Sequence, residues 1–353
     1  MTLARDGTFV GVPSAPLATR HGDFIVHRFH HGPAAAQPLA ITRGDVTTAA
    51  PLLTRVHSSC LTSEGLGACD CDCAEQLDAA LALIARRGRG AIFYLMQEGR
   101  GAGFAAKALD RMLVQASGNR LTTFEAYARL GLPPDQRSYG EVPAMMRRLG
   151  VGGPLRLLSN NPDKVAAVRN DGAVVNGTEA LQIPASAYSQ HYLAAKARAG
   201  HTIASPAGIP PAILPERVPL LAPEPLATAP HLIRVAAYLL PVRRHATVWL
   251  RLHLYVDTTT SQHRIVLTYG DGRAGSVLVR VQRETLLDHF RLRTPRFRRG
   301  WDEAVTHIVA HGSGIVVLAD AREALQCDTL GALVQAHLGE RRGVALAFDA
   351  DAA

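Results

Sequence analysis

Arg55 to Leu95 read RVHSSCLTSEGLGACDCDCAEQLDAALALIARRGRGAIFYL, and this stretch decides the fold. After Cys73, the run AEQLDAALALIARRG places Leu77, Ala80, Leu81 and Ile84 at i, i+3, i+4 and i+7. That is the apolar stripe of an amphipathic helix, and Gly88 marks its end. Ala91 to Leu95 (AIFYL) follows as a short, wholly apolar strand, and Leu39 to Thr42 and Leu52 to His57 read as strands too. Helix alternating with strand predicts an α/β (mixed α+β) fold of mixed sheets flanked by helices. The AIFYL strand delivers Gln97-Glu98-Gly99-Arg100-Gly101 into a glycine-rich turn, where backbone N–H groups and a guanidinium can approach phosphate.

The same stretch holds four of the chain's five cysteines, spaced Cys60-x10-Cys71-x-Cys73 with Cys69 between them. Three thiolates from one short segment can surround one Zn²⁺ and leave a fourth position for water, the open arrangement of a catalytic zinc. Cys60, Cys71 and Cys73 are the expected ligands. Cys69 lies in the same cluster, so a closed four-thiolate cage is the alternative. Disulfides fit poorly with a large chain that is otherwise poor in cysteine.

Composition narrows the class. At 353 residues the chain has room for two domains with real cores. Its start, MTLARDGTFVGVP, carries no apolar run, and no stretch reaches 18 apolar residues, so a cytoplasmic protein without membrane spans is expected. The 38 Lys+Arg against 30 Asp+Glu leave a formal charge of +8, concentrated in runs such as Arg291–Arg299 and Arg243-Arg244. A basic field attracts polyanions, but no recognition-helix or aromatic-platform motif accompanies it, so no nucleic-acid partner is expected.

The sequence also repeats itself. Gly44-Asp45 is answered by Gly270-Asp271, Arg55-Val56 by Arg280-Val281, and Gly88-x-Gly90 by Gly312-x-Gly314. Leu77 to Gly88 and Trp301 to Gly312 have equal spacing. Two tandem related modules are expected, the second degenerate, although any strand–helix–strand unit shares part of this pattern. Thr285 stands where Cys60 does, and the thiol pair is replaced around Thr294 to Arg299, with Cys327 outside any ligand spacing. The second module should bind no zinc. Between the two, residues 203–230 are dense in proline, which forbids helix and central strand and predicts an extended linker. The expected division is 1–202, 203–230 and 231–353.

Five blocks resemble the GTP cyclohydrolase II family in order and spacing: RVHSSC (55–60), CDCAEQLDAAL (71–81), QEGRGAGF (97–104), TTFEAYARLGLPPDQRSYG (122–140) and RLLSNNPDKV (156–165). The resemblance covers about residues 20–200. It implies a cytoplasmic homodimeric enzyme that uses Zn²⁺, with Mg²⁺ on the triphosphate, to open the imidazole ring of GTP, release pyrophosphate and formate, and feed riboflavin synthesis. Such chemistry needs a water of lowered pKa, a proton acceptor and cations for the phosphates.

By this resemblance Arg55, Val56, His57, Ser58, Ser59, Gln76, Glu98, Gly99, Arg100, Thr123, Ser159 and Lys164 contact GTP. Asp135 is the proton acceptor and Arg137 the nucleophile toward the α-phosphate. Taken alone, Gln76 reads equally as an exposed helix residue, and Asp135 with Arg137 as a surface ion pair. Ser159 or Asn160 could cap a helix that has Pro162 in its first turn. Two departures stand out: Met96 where the family usually has arginine, and Met112 or Arg111 where it has tyrosine. They imply slower formate release, with an enzyme that stops at the formylamino product as one alternative. The other is a pseudoenzyme that binds nucleotide for regulation.

Overall fold

A computed structural model describes residues 13–29, 37–203, 213–243, 247–270, 276–284, 295–320, 327–338 and 344–347. Asp271, Thr285, Arg291–Thr294, Arg244 and residues 204–212 of the expected linker lie outside these.

The first sheet has the order β1-β2-β3-β5-β4-β6-β7. Its strands are β1 (Ser14–Thr19), β2 (Gly22–Arg28), β3 (Leu39–Arg43), β4 (Leu52–Ser58), β5 (Gly90–Leu95), β6 (Leu155–Leu158) and β7 (Val175–Glu179). The strands from β1 to β5 pair antiparallel and those from β5 to β7 parallel. β5 is buried along its whole length and β4 nearly so, as expected of parallel strands covered on both faces. On one face lies α1 (Cys73–Arg87), whose stripe of Leu77, Ala80, Leu81 and Ile84 packs on Ile41, Ile92 and Tyr94. The helix ends at Gly88, which takes the left-handed conformation. The other face is covered by α4 (Glu141–Leu149) and α5 (Pro162–Asn170), through Val142, Met145, Val165 and Val168. Asn161 caps α5, one residue later than the sequence reading placed the cap, with Pro162 in the first turn. The helices α2 (Gly103–Ala116), α3 (Thr123–Arg129) and α6 (Gln190–Arg198) complete this half.

The second sheet has the order β14-β12-β13-β11-β10-β9-β8. Its strands are β8 (Glu224–Leu226), β9 (Ala229–Arg243), β10 (Thr247–Asp257), β11 (Gln262–Tyr269), β12 (Val277–Glu284), β13 (Gly314–Asp320) and β14 (Val344–Ala347), with α7 (Pro295–His311) and α8 (Cys327–Leu338) between them. Within the proline-rich stretch, Glu224–Leu226 forms the sheet's edge strand, a position that tolerates proline, and Ala229-Pro230 begin β9.

The order β9-β10-β11-β13-β12-β14 matches β1-β2-β3-β5-β4-β6, with the same switch from antiparallel to parallel pairing. Thr42 pairs with Ala91 and Thr268 with Ile315; Arg55 pairs with Ile92 and Arg280 with Val316. Gly44 (φ 67°) and Gly270 (φ 74°) are both left-handed, and a Cβ on either would meet the carbonyl oxygen of Gly88 or Gly312 at 2.5 and 2.1 Å. The helix-to-strand turn therefore excludes a side chain at the same place in both halves.

The halves share a continuous apolar core. Phe104, Ala108 and Met112 of α2 pack with Tyr238, Leu240 and Leu252 of the second sheet and with Trp301 and Val305 of α7. No helix among the described residues is long and apolar enough to cross a membrane.

Candidate active site

β4 runs directly into Cys60, a π-helical turn over Leu61–Gly65 follows, and Cys71 and Cys73 close the loop at the start of α1. The loop brings the Sγ atoms of Cys60, Cys71 and Cys73 within 4.8 Å of one another. Lys107 Nζ stands 3.1 Å from Cys60 Sγ and 2.8 Å from Glu98 Oε1, and the other Glu98 oxygen accepts from the Leu61 N–H at 2.7 Å. Hydrogen bonds from Cys71 and Cys73, with Lys107 beside them, hold the Cys60 thiol well below its usual range. The other two thiols are pushed up, first by their hydrogen bonds to Cys60 and then by burial. A bound dication would charge all three. Three soft sulfur donors opening on a cleft fit zinc, with one coordination position left over. Cys69 turns away: its Sγ donates to the Pro241 carbonyl at 3.4 Å, and burial pushes its thiol up to about 11.

The thiols sit at one side of a cleft of about 970 Å³, counted to its open mouth. Arg55, Arg100, Lys107, Arg137, Lys164 and Lys196 all line it. Arg55 is held in place, Nη1 donating to Leu158 O at 2.8 Å and Nη2 to Gln76 Oε1. Gln76 is only 7% exposed and donates in turn to Asp72, which also pairs with Lys196 at 3.0 Å. The exposed-helix alternative for Gln76 is therefore set aside. Lys164 Nζ donates to the Val56 carbonyl at 3.2 Å. Burial, then Arg137 and Arg55, pull its ammonium well below the usual range, and an arriving polyanion would favour its charged form. His57 Nε2 lies 2.7 Å from Glu64 Oε1, and Tyr94 Oη donates to the second Glu64 oxygen at 2.5 Å. Burial, followed by Arg55 and Lys164, keeps this imidazole neutral. His57 Nδ1 and Ser58 Oγ, although buried, have no hydrogen-bond partner among the described residues.

The glycine-rich turn forms the opposite wall. Arg100 itself is left-handed (φ 55°) between Gly99 and Gly101, a strained conformation of the kind found at functional sites. Its guanidinium lies 4.0 Å over the Phe124 ring. A Cβ on Gly101 would meet Gln136 C at 2.8 Å, and Gln136 N donates to Arg100 O at 2.9 Å. The turn thereby seats the loop carrying Asp135 and Arg137. Arg137 Nε donates to both Asp135 oxygens, at 2.8 and 3.1 Å. Burial alone would raise the Asp135 carboxyl, but the hydrogen bonds from Arg137 outweigh it and hold it below its usual range.

Of the residues singled out in the sequence, the cleft brings together Arg55, His57, Ser58, Ser59, Gln76, Glu98, Gly99, Arg100, Thr123, Arg137, Ser159 and Lys164 with the three thiols. Val56 does not line it: its side chain is in the core and only its carbonyl reaches Lys164. Asp135 reaches the cleft through Arg137. Met112, 2% exposed, packs in the inter-sheet core, whereas Arg111 lines the cleft and pairs with Asp70 at 3.6 Å. Sequence reasoning missed Lys107, Asp110, Tyr192 and Lys196. Asp110 is buried, accepts from Thr123 Oγ1 at 3.0 Å, and is pushed up to about 6 by burial.

Three converging thiols beside a cation-lined cleft, mounted beyond the C-terminal ends of the interior parallel strands β4 and β5, define a metal-ready anion pocket. The family described as GTP cyclohydrolase II matches residues 11–180 and again 234–350, so the chain belongs to that family and is a hydrolase of its type. It is 41% identical to a GTP cyclohydrolase-2 of Azotobacter vinelandii over 197 residues, 56% of this chain and 93% of that relative. A Pseudomonas paraeruginosa GTP cyclohydrolase-2 is 40% identical over 197 residues, 56% and 94% of the two chains. The riboflavin biosynthesis protein RibBA of Bacillus mycoides is 40% identical over 188 residues, 53% of this chain and 46% of that one.

Proposed function

We propose that residues 1–202 form the catalytic domain of a zinc-dependent GTP cyclohydrolase II, joined through the stretch 203–230 to a degenerate module, 231–353, without metal. The reaction opens the imidazole ring of GTP and releases pyrophosphate and formate, for riboflavin synthesis in the cytoplasm. The observation that carries the reading is the juxtaposition of three convergent thiols with a cluster of partly buried cations in one cleft. Cys60, Cys71 and Cys73 would hold a Zn²⁺, which when bound would lower the pKa of water for the hydrolysis. Arg55, Arg100 and Lys164 would neutralise the triphosphate, and a Mg²⁺ accompanying it would supply further positive charge. His57, Ser58, Ser59, Gln76, Glu98, Gly99, Thr123 and Ser159 shape the remaining walls. At the α-phosphate, an Arg137 nitrogen forms the N–P bond as the P–O bond to pyrophosphate breaks, and its proton passes to Asp135, already within hydrogen-bond distance. The family resemblance further suggests a homodimer, which light scattering would check. Incubation with GTP, Zn²⁺ and Mg²⁺, followed by mass spectrometry, tests the reaction; intact GTP would overturn it.

A second reading is favoured by Arg111. With Met112 in the core, arginine is the side chain that reaches the cleft near the family's tyrosine position, and it has no neutral hydroxyl to offer. Formate release should then lag ring opening by about 10²–10³-fold, the effect of losing one oriented group. The formate-to-pyrophosphate ratio measures this, and Arg111→Tyr should raise it. A ratio near one in the unmodified protein would remove the second reading.

A further inference from the structure

β9 is much longer than the neighbour on its outer edge: β8 pairs only with its first part, as far as Arg234. Beyond that point the free edge of β9 is taken up by the first half of the chain. Gln115 of α2 donates to Leu239 O and accepts from Leu239 N, both at 2.8 Å. The metal loop itself does the rest. Cys69 N donates to Pro241 O at 2.9 Å, Ala68 bridges Val242 in antiparallel fashion, and Arg243 N donates to Gly67 O at 2.9 Å. From α7, Trp301 Nε1 donates to Leu66 O at 2.9 Å from a buried position. Leu66, Gly67 and Cys69 are thus bonded through their backbone to the second half, and Ala68 sits opposite Val242 between two of these bonds. Arg243 adds an ion pair with Glu75 of α1 at 2.7 Å, just past Cys73.

We infer that the second module is the seat of the metal loop, with Trp301 and the outer edge of β9 as positioning elements that fix how Cys71 and Cys73 meet Cys60. The inference rests on the zinc reading of those thiols. Ten residues lie between Cys60 and Cys71, and a span of that length populates many conformations unless its middle is fixed. Within its own half the loop is held at Leu61 by Glu98, at Glu64 by His57 and Tyr94, and at Ala74 by Ser63 Oγ. Leu66 N and Ala68 N donate back to Leu61 O and Thr62 O, and Ser186 Oγ donates to Cys69 O at 3.5 Å. To these the bonds of Leu66, Gly67 and Cys69 to β9 and α7 add the anchors that set where the turn leading into Cys71 and Cys73 lies. A module that has lost the cysteines retains a role because its strand edge completes the site of the module that has them.

The test uses the full chain. Trp301→Phe keeps an aromatic ring in the core and removes the donor to Leu66. Zinc affinity, measured by competition with a chromophoric chelator, should fall about 10–100-fold, the usual effect of losing a group that orients metal ligands. The thiolate-to-metal charge-transfer band of the Co²⁺-loaded protein should shift with it. Gly67→Ala, which strains a left-handed position (φ 81°) beside the Arg243 bond, should act in the same direction should Trp301→Phe fail to fold. Leu333→Ala, in the core on the α8 side of the second sheet, is the control. It should lower the melting temperature while leaving zinc affinity and the Co²⁺ band unchanged. Unaltered affinity and spectrum in Trp301→Phe and Gly67→Ala would overturn the inference, as would a loss of affinity in Leu333→Ala matching its loss of stability. A wild-type chain that binds no zinc would instead overturn the metal reading itself.

Discussion

Arg55 and Arg280 occupy the same register position in two sheets of the same strand order, yet their side chains are used differently. Arg55 reaches across to Leu158 and Gln76 in a cation-lined cleft, whereas Arg280 Nε donates along its own strand to Gln282 at 3.1 Å. What repeats between the halves is steric: glycines at 44 and 270, and Ile84 and Ile308 pressed against Gly90 and Gly314. What does not repeat among the described residues is the equipment beyond the strand ends. β4 is followed by a loop of thiols, and β5 by a glycine-rich turn and three helices before β6. A scaffold can be copied and kept by its packing while its loops, which carry function, diverge.

The sharpest way to break the comparison is at the thiols. Cys60→Ser, Cys71→Ser or Cys73→Ser should each abolish ring opening and bound zinc, because hydroxyl does not replace thiolate in such a shell. Cys69→Ser should keep both. Zinc content by atomic absorption, beside GTP turnover, reads the two together; loss of metal in Cys69→Ser with retention in Cys60→Ser would reverse the ligand assignment.

Arg137 comes next. Arg137→Lys conserves charge but not the planar two-nitrogen contact with Asp135. Pyrophosphate release should drop about 10²–10³-fold. Release at the wild-type rate would reduce Arg137 to a counter-ion, leaving the first half's cleft with binding groups but without this nucleophile.

Much of this was legible beforehand, and the limits have physical causes. The stripe of α1, its stop at Gly88 and the strands β3, β4 and β5 follow from local periodicity and left-handed glycine. The cysteines, the glycine-rich turn and Asp135-x-Arg137 could be read because each is a compact motif. Lys107, Tyr192 and Lys196 could not, since each is a single residue on an amphipathic helix and becomes part of the cleft only by tertiary placement. Met112 and Arg111 adjoin in sequence, and only the rotation of α2 against β9 decides which enters the cleft. The pairing of residues 67–69 with β9 joins backbone groups more than 170 residues apart and leaves no mark on side-chain pattern.

The repeated turn offers a milder test, on stability. Gly44→Ala and Gly270→Ala each place a methyl against a carbonyl in a left-handed residue. Each should cost about 2–4 kcal/mol in urea unfolding, strain and crowding together. Similar losses would show that the two halves depend equally on the shared turn. A neutral Gly270→Ala beside a damaging Gly44→Ala would mean that the second half has relaxed a constraint the first still obeys.

The smallest expected effect concerns acid. The second half holds a pair of histidines that has no part in the cleft: the rings of buried His253 and half-buried His337 lie 4.2 Å apart, His253 beside Thr268 and His337 Nε2 2.9 Å from Tyr255 Oη. Burial, then Arg234, pulls His337 down to about 4, and burial, then His337 and Arg251, pulls His253 well below its usual range. Both are therefore neutral in the folded state near neutrality. As pH falls below about 6.5 the unfolded chain takes up protons that the folded chain refuses, so stability declines from there toward pH 4. The slope contributed by each histidine approaches about 1.4 kcal/mol per pH unit. His337→Gln retains an acceptor for Tyr255 and removes one titration, so its stability should fall less steeply over that window. An unchanged slope in urea titrations from pH 6.5 to 4 would place the acid sensitivity elsewhere, with neutral His57 of the first half the next group to replace.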